Sequence, residues 1–196
     1  MNFGKCGKDQ MKKHEPFKIP IWEFELDIDN DILNDYCLQF SKETSTVIKS
    51  NQGGYQSPTR LPNLHPPFCT LVSDVEWKLR EIQETPLVVS NIWFNINRYK
   101  DKNVSHLHPG SHYSGVYYVG APKDCGNIYF EHPALDLLYH YPNGGKDALF
   151  IGEAKEKRLY IFPSWLKHYV SPNLNKDQER ISISFNTTNG VDNAYL

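Results

Sequence analysis

The sequence contains no long hydrophobic run, and no stretch approaches the roughly 18 consecutive apolar residues that indicate a membrane-spanning helix. The first 17 residues also lack the apolar segment of a secretory signal peptide. We therefore expect a soluble, cytoplasmic protein that has no membrane partner.

The chain also lacks an excess of one charge and a cysteine framework. Its 21 Lys and Arg residues against 23 Asp and Glu residues give a formal net charge of −2, so nucleic acid is not an expected partner. The cysteines have neither the density of a disulfide-rich domain nor the spacing of a zinc ribbon. We expect reduced thiols at all four positions, Cys6, Cys37, Cys69 and Cys125.

The chain does have enough apolar residues to bury the core of one globular domain, since 39% of its 196 residues are hydrophobic. Residues 21–28, IWEFELDI, alternate apolar and charged positions as a half-buried strand does. Apolar residues then recur at helical spacing over residues 32–40 and again over 72–82. Asp29 or Asn30 can cap the first of these two helices. Between the two helices, the Gly- and Pro-rich residues 50–67 predict a loop or turn.

From Leu87 onward, short apolar or alternating runs are separated by turns. Residues 136–156 interrupt them and predict an insertion with its own hairpin. Several short strands after two helices favour an antiparallel sandwich or barrel that is mainly β with flanking helices. We expect one domain over 1–196, in which 1–86 support a β core over 87–190. The predicted strands of that core are VVSNIWFNINRY (88–99), YSGVYYVGA (113–121), GNIYFEH (126–132), KRLYIFPS (157–164) and RISISFN (180–186).

Three of the eight histidines lie within residues 106–112. His106 and His108 are two positions apart, so on an extended segment they face the same side and can reach one ion. Neutral imidazole is the commonest protein ligand of first-row metals. A third ligand must come from elsewhere, and His168 follows a strand and a Pro-containing turn. The alternative, a turn or surface position, is favoured for the other histidines, His14, His65, His112, His132 and His140.

Alternation in residues 180–186 separates a polar face from an apolar face. The polar face carries Arg180, Ser182, Ser184 and Asn186. The pattern leaves two interpretations open, because this face can point to solvent or line the interior of a barrel. In the second case the guanidinium requires an anionic partner, since an unpaired buried charge is costly. A carboxylate ligand beside a Ser hydroxyl is then the natural candidate.

An ordered set of motifs connects these residues. His-x-His, then SGVYYV, GNIYFEHP, LYIFPSWLKHYVSPN and RISISFN, resembles the 2-oxoglutarate- and Fe(II)-dependent oxygenases over residues 91–186. The sequence is most similar to a branch found in marine bacteria and phages, which is related to the prolyl hydroxylases. The resemblance implies a double-stranded β-helix (a cupin-like jelly roll) that uses Fe(II), 2-oxoglutarate and O2.

Such an enzyme oxidises a small-molecule or peptidyl substrate and releases succinate from 2-oxoglutarate. The resemblance implies no catalytic side chain beyond the metal centre. Residues 50–60 and 136–148 are candidate loops for substrate contacts. The sequence does not determine the oligomeric state, and a homodimer formed through the N-terminal elements is compatible with it.

The resemblance also implies roles for individual residues. Two family metal ligands fall on His106 and His168. The Arg-x-Ser motif, which binds the far carboxylate of 2-oxoglutarate, falls on Arg180 and Ser182, and a tyrosine that donates to the same carboxylate falls on Tyr118. Neighbouring strand residues expected to line the pocket are Trp93, Asn95, Asn97 and Asn186.

One position departs from the family pattern. The second metal ligand is normally Asp or Glu, two residues after the first histidine, and here that position is His108. We favour a three-histidine site with one less negative charge on the metal. In the alternative, His108 stays outside the ligand set, which water or Glu131 completes.

Two other classes of protein remain open. A cupin-like three-histidine metalloenzyme that does not use 2-oxoglutarate makes no demand on Arg180 and Ser182 as a pair. A non-catalytic β-sandwich binding module needs no metal at its histidines.

Overall fold

The computed structural model describes residues 18–59, 66–140 and 148–189. In this part of the chain the α-helices are α1 (Asn30–Glu43), α2 (Cys69–Ile82) and α3 (Leu135–Tyr139), and Pro66–Phe68 forms a 3₁₀ helix. The strands are β1 (Trp22–Glu25), β2 (Asn51–Gln52), β3 (Tyr55–Gln56), β4 (Leu87–Asn97), β5 (Lys102–His106), β6 (Tyr113–Gly120), β7 (Ile128–Glu131), β8 (Leu149–Gly152), β9 (Arg158–Pro163), β10 (His168–Val170) and β11 (Arg180–Asn189).

The strands form two antiparallel sheets. The large sheet has the order β1-β9-β6-β11-β4-β3, and the small sheet has the order β2-β5-β10-β7-β8. From β4 onward the chain places four strands in each sheet, which is the division of an eight-stranded jelly roll. The prediction of a mainly β fold with flanking helices is confirmed. The further division into 1–86 and 87–190 stays a prediction, although β4 does begin at Leu87.

The two faces of the large sheet differ in chemistry. The face toward α1 and α2 is apolar and includes Ile92, Phe94 and Ile96 of β4. Because side chains alternate along a strand, the opposite face of β4 carries polar residues, among them Asn95 and Asn97. These two side chains line a cavity between the sheets. The helices therefore take the apolar face and leave the polar face for the interior of the sandwich.

Helix α1 is fixed to the large sheet at its first turn. It begins at Asn30 because the Asp29 side chain accepts a hydrogen bond from the Asp31 backbone N–H at 3.0 Å, which caps the helix. The hydroxyl of Tyr117 on β6 donates to Asn30 Oδ1 at 2.7 Å. Asn30 Nδ2 in turn donates to the carbonyl of Val119 at 2.8 Å. These bonds set the position of the helix over the sheet.

The region predicted as a loop or turn over 50–67 contains two short strands, so the prediction is wrong there. β2 pairs with β5 at one edge of the small sheet, and β3 pairs with β4 at one edge of the large sheet. Gly53 and Gly54 join them with φ of +74° and +65°, a conformation that glycine adopts without strain. Each strand has two residues, which is too few for alternation to be visible in the sequence.

The prediction of a self-contained hairpin over 136–156 is also wrong. Its first residues belong to α3, and β8 pairs with β7, so that Gly152 lies opposite Ile128. Within the described residues, β8 of the insertion therefore pairs with a strand that lies before the insertion. Residues 141–147 lie outside the described part of the chain.

Among the described cysteines, Cys37 and Cys125 carry free thiols, as expected. None of the helices in the described ranges has the length and hydropathy needed to span a bilayer. The predictions for Cys6, His14 and His65 concern positions outside the described residues.

Candidate metal centre

His106 and His168 lie opposite each other on paired strands. His106 ends β5, His168 begins β10, and the two residues are direct partners in the antiparallel register. Their ring centroids are 4.4 Å apart. The imidazoles therefore share one side of the small sheet, and they meet because two distant segments pair there.

His108 joins this pair from the segment after β5. Its backbone N–H donates to the carbonyl of Ser164 at 2.9 Å, which ties the segment to the turn before β10. The His108 ring centroid lies 5.0 Å from that of His106 and 5.2 Å from that of His168. One nitrogen from each of the three rings lies within 4.8 Å of the other two, so one ion can contact all three.

Backbone hydrogen bonds orient two of the rings. His106 Nδ1 lies 2.8 Å from the carbonyl of Val104, and His168 Nδ1 lies 2.9 Å from the carbonyl of Leu166. A carbonyl only accepts, so in the neutral ring Nδ1 carries the proton and Nε2 keeps the lone pair that binds a metal. The His108 ring makes no hydrogen bond within the described ranges. It packs against the indole of Trp93, with the two ring centroids 5.5 Å apart.

Burial keeps all three imidazoles neutral. Desolvation lowers the pKa of His106, lowers that of His108 to about 4 and lowers that of His168 well below its usual value. The mutual repulsion of the protonated rings is a second cause for His108 and His168. At neutral pH the cluster therefore presents lone pairs, which is the form that binds a metal.

The histidines form one wall of a cavity between the sheets, which we call the inner cavity. Strands β4, β6 and β11 supply the opposite wall with polar side chains, and Val116, Ile128 and Phe162 supply an apolar part. The predicted site residues that line it are Trp93, Asn95, Asn97, His106, His108, Tyr118, His168 and Ser182.

Arg180 is fully buried, so its side chain does not point to solvent. Its Nη1 donates to the carbonyl of Cys125 and, at 3.1 Å, to the carbonyl of Ser171. Its Nη2 has no hydrogen-bond partner, and no carboxylate of the described residues pairs with it. Burial lowers the pKa of Arg180, with a partial opposing effect of Tyr118, Cys125 and Asp101. An arginine remains protonated in proteins, so a positive charge that no described carboxylate contacts directly lies inside the sandwich.

Tyr118 lies on β6, directly opposite Ser182 of β11. Its hydroxyl is buried and has no hydrogen-bond partner in the part of the chain that the structure describes. Burial raises the pKa of Tyr118, although the charge of Arg180 opposes this shift. The phenol is thus a neutral donor beside the guanidinium. Arg180, Tyr118 and Ser182 together could hold an anionic group.

The remaining predicted residues lie elsewhere. Asn186 does not line the inner cavity: it accepts from Ser114 at 2.7 Å and donates to Asn91 at 3.1 Å, nearer the surface. Glu131 lies 4.0 Å from Lys167 and is not part of the three-histidine cluster. His112 is exposed in the segment before β6, and its backbone bonds to Thr187 and Ser164 fit a turn position.

A second, open depression adjoins the histidines at the surface, and we call it the mouth groove. It includes Lys49, Ser50, Gln56, Thr59, Asn91, Trp93, Val104, Ser105, His106, Leu107, His108 and Asn186. Gln56 was not identified from the sequence as an individual site residue. The Gly- and Pro-rich region around it has no periodicity, so no local signal distinguishes it from a solvated loop.

A family model described as "Putative 2OG-Fe(II) oxygenase" matches residues 91–186. The match runs from β4 into β11 and so includes all three histidines, Tyr118, Arg180 and Ser182. A search of curated protein sequences gave no match.

Solved structures of similar fold cover most of the chain. A Pseudomonas putida prolyl-4-hydroxylase has 14% identity and a TM-score of 0.63 over 88% of this chain and 94% of its own. A Trichoplax adhaerens prolyl hydroxylase, solved with a hypoxia-inducible-factor peptide fragment, has 12% identity and a TM-score of 0.64 over 89% of this chain and 86% of its own. HygX from Streptomyces hygroscopicus, solved with nickel and 2-oxoglutarate, has 11% identity and a TM-score of 0.62 over 88% of this chain and 84% of its own.

These structural similarities confirm the predicted double-stranded β-helix. The family to which the matched model belongs uses Fe(II), 2-oxoglutarate and O2. The family match and the fold agree with the ordered motifs from which the family was first inferred. Over residues 91–186 the chain matches the 2-oxoglutarate- and Fe(II)-dependent oxygenase family, and the similar solved structures share its fold.

Proposed function

We propose that this protein couples the decarboxylation of 2-oxoglutarate to succinate with the oxidation of a second substrate at a non-haem Fe(II) centre. One observation carries the proposal. Three imidazoles that can share an ion and a buried guanidinium without an anion lie in the interior of the same sandwich. The first group fits a metal, and the second fits a carboxylate.

His106, His108 and His168 would hold the metal through neutral imidazole nitrogens. Imidazole is a suitable ligand for iron, and the Nδ1 bonds of His106 and His168 already aim their Nε2 atoms. When bound, Fe(II) supplies the activation of O2 that attack on an unactivated C–H bond requires. With His108 in place of the usual carboxylate, the protein ligands add no negative charge to the ion.

Arg180 would fix the far carboxylate of 2-oxoglutarate. Two backbone carbonyls hold its Nη1, so the guanidinium is oriented before the ligand arrives and its Nη2 remains as donor. The hydroxyls of Tyr118 and Ser182 would donate to the same carboxylate. This arrangement lets the keto acid bind in one direction only.

The apolar residues of the inner cavity would exclude water from the reacting groups. Val116, Ile128 and Phe162 lie around the histidines and offer no hydrogen bonds. A dry site strengthens the charge pairing at Arg180 and limits side reactions. The second substrate, a small molecule or a peptidyl group, would reach His106 and His108 through the mouth groove. A homodimer, a cytoplasmic location and the lack of a nucleic-acid or membrane partner stay predictions.

The histidine at position 108, in place of the usual carboxylate, also fits a second candidate function. That candidate is a cupin-like three-histidine metalloenzyme that does not use 2-oxoglutarate. That enzyme would have the same metal ligands but no need for an anion at Arg180. A 2-oxoglutarate titration of the Fe(II) protein therefore separates the two.

The test is an anaerobic titration of the Fe(II) protein with 2-oxoglutarate. The proposal expects a weak visible charge-transfer band that saturates with the cosubstrate, and succinate release once O2 is admitted. An Fe(II) protein that develops no band would favour the cupin-like candidate. A protein that takes up none of Fe(II), Mn(II) and Co(II) would support a non-catalytic binding module.

A further inference from the structure

Two side-chain amides on neighbouring strands have buried oxygens without partners. Gln56 lies on β3 and Asn95 on β4, and the two residues are opposite each other in the antiparallel register. Gln56 is 6% exposed and Asn95 is 5% exposed. Neither Gln56 Oε1 nor Asn95 Oδ1 has a hydrogen-bond partner among the described residues. An unsatisfied buried amide is unfavourable, so two adjacent ones indicate a function other than folding.

The backbone around Gln56 is held firmly. The Gln56 N–H donates to the Thr46 hydroxyl at 3.0 Å, and its carbonyl accepts from Val47 N–H at 2.9 Å. The next residue, Ser57, exchanges two bonds with Phe94 of β4, at 2.9 and 3.0 Å. Gln56 Oε1 is thus left without a partner among the described residues on a rigid support, as in a preorganised binding residue.

Gln56 and Asn95 begin a row of polar residues that crosses the large sheet. In the strand registers Asn95 is opposite Ser182, and Ser182 is opposite Tyr118. Tyr118 and Ser182 at one end are the residues proposed for the far carboxylate of the cosubstrate. Gln56 at the other end lines the mouth groove together with His106 and His108. Gln56 therefore lies on the open side of the site, and its neighbour Asn95 lines the inner cavity.

We propose that Gln56 and Asn95 bind an uncharged hydrogen-bonding group, a hydroxyl or a carboxamide, of the substrate that is oxidised. This inference rests on the proposed function for the identity of the ligand as substrate. A hydroxyl or carboxamide offers both a donor and an acceptor, as the two side-chain amides do. A hydrocarbon at this position would leave both amides unsatisfied.

The charge of the groove excludes a cationic group. No Asp or Glu is among the described residues that line the mouth groove, whereas Lys49 does line it. A substrate ammonium there would find no carboxylate and would lie near a like charge. The substrate class is therefore polar and not positively charged at the end that faces Gln56.

The first test separates a binding role from a structural one without any substrate. Gln56→Met keeps the length of the side chain and removes the unpartnered oxygen, so the melting temperature should rise by about 2–4 °C. Gln52→Met, at an exposed position of β2, is the matched control and should leave it unchanged. The affinity of the Fe(II) protein for 2-oxoglutarate should stay within about twofold of wild type. A melting temperature lowered by Gln56→Met, or a large loss of 2-oxoglutarate affinity, would overturn the proposal.

The second test uses three small probes in ¹H–¹⁵N spectra of the Zn(II)- and 2-oxoglutarate-loaded protein, repeated on the metal-free protein. N-acetylalaninamide carries uncharged amides, methyl glucoside carries hydroxyls, and alaninamide carries an ammonium. The side-chain NH2 signals of Gln56 and Asn95, assigned from Gln56→Met and Asn95→Leu, should shift saturably with at least one uncharged probe. Alaninamide should bind several-fold more weakly.

Binding of N-acetylalaninamide would identify the recognised substrate group as an amide, and binding of methyl glucoside would identify it as a hydroxyl. No shift with either uncharged probe, or equal binding of alaninamide, would overturn the proposal. A protein that binds the probes but neither metal nor 2-oxoglutarate would contradict the proposed function alone, because the metal-free spectra report on the subsite independently.

Discussion

His106 and His168 face each other across the β5–β10 pair, and each ring is held by the backbone carbonyl two residues before it in the sequence. The two imidazoles therefore have the same local arrangement on two different strands. Neither strand carries the site alone, since the rings meet only when the small sheet has formed.

Removing one of these rings should abolish metal binding. His168→Ala takes away a ligand whose Nε2 is already aimed, so we expect Co(II) or Fe(II) affinity to fall by more than about 100-fold, beyond the usual effect of losing an outer-shell partner. The d–d absorption of added Co(II) measures this. His140→Ala, at an exposed position, is the control and should bind Co(II) as wild type does. Unchanged Co(II) binding in His168→Ala would contradict the proposed ligand set.

Arg180→Met should weaken 2-oxoglutarate binding and leave metal binding nearly intact. Loss of a buried charge pair costs about 2–5 kcal/mol, which is roughly a 30- to 5,000-fold rise in the dissociation constant. Isothermal titration of the metal-loaded protein with 2-oxoglutarate measures it. Arg98→Met, in an exposed ion pair with Glu179, should have little effect. Equal losses of metal and 2-oxoglutarate affinity in Arg180→Met would indicate a structural role.

Substitutions of His108 test whether it is a metal ligand. His108→Asp restores the acid that the family normally has at this position, so we expect metal binding to be retained and succinate release to be maintained or increased. His108→Ala should weaken Co(II) binding and alter the Co(II) spectrum, because one nitrogen donor is lost. A Co(II) spectrum in His108→Ala identical to wild type would remove His108 from the ligand set.

The metal-free protein should lose stability in mild acid. Burial lowers the pKa of all three histidines, to about 4 for His108, whereas in the unfolded chain each titrates near 6.5. Below pH 6.5 the unfolded state therefore binds more protons, and the free energy of unfolding falls as the pH decreases from about 6.5 towards about 4. Urea unfolding at several pH values measures this. Replacing all three histidines by Gln should reduce the slope, and an unchanged slope would contradict the assignment.

The turn at Gly53 and Gly54, which leads into the strand that carries Gln56, should be sensitive to an added methyl group. A Cβ at Gly54 would lie 2.7 Å from the carbonyl oxygen of Ile96, and φ there is +65°. Gly54→Ala should therefore destabilise the protein by about 2–4 kcal/mol, from backbone strain together with the clash. Gly110→Ala is the matched control, because Gly110 also has positive φ but nothing within 4 Å of its Cβ position. Thermal unfolding compares them, and equal effects would mean that the close approach to β4 is relieved without cost.

Much of the fold could be predicted because strand alternation is a local property. β6, β7 and β9 each fall within a predicted run, β4 and β11 overlap theirs, and α1 and α2 follow the predicted helical spacing. The two-residue strands β2 and β3 could not be predicted, since their pairing with β5 and β4 depends on distant segments. Gln56 was missed for the same reason.

The sequence by itself determined that Arg180 and Ser182 share one face of a strand and that His106 and His108 can point the same way. It left open whether the polar face of β11 points to solvent or to the interior. The tertiary structure decided this, because α1 and α2 cover the apolar face of the large sheet and turn Arg180 towards the interior. The pairing of β5 with β10 likewise brought His168 to His106. Local periodicity sets which residues share a face, whereas burial of that face and contacts between distant strands depend on how all the layers pack.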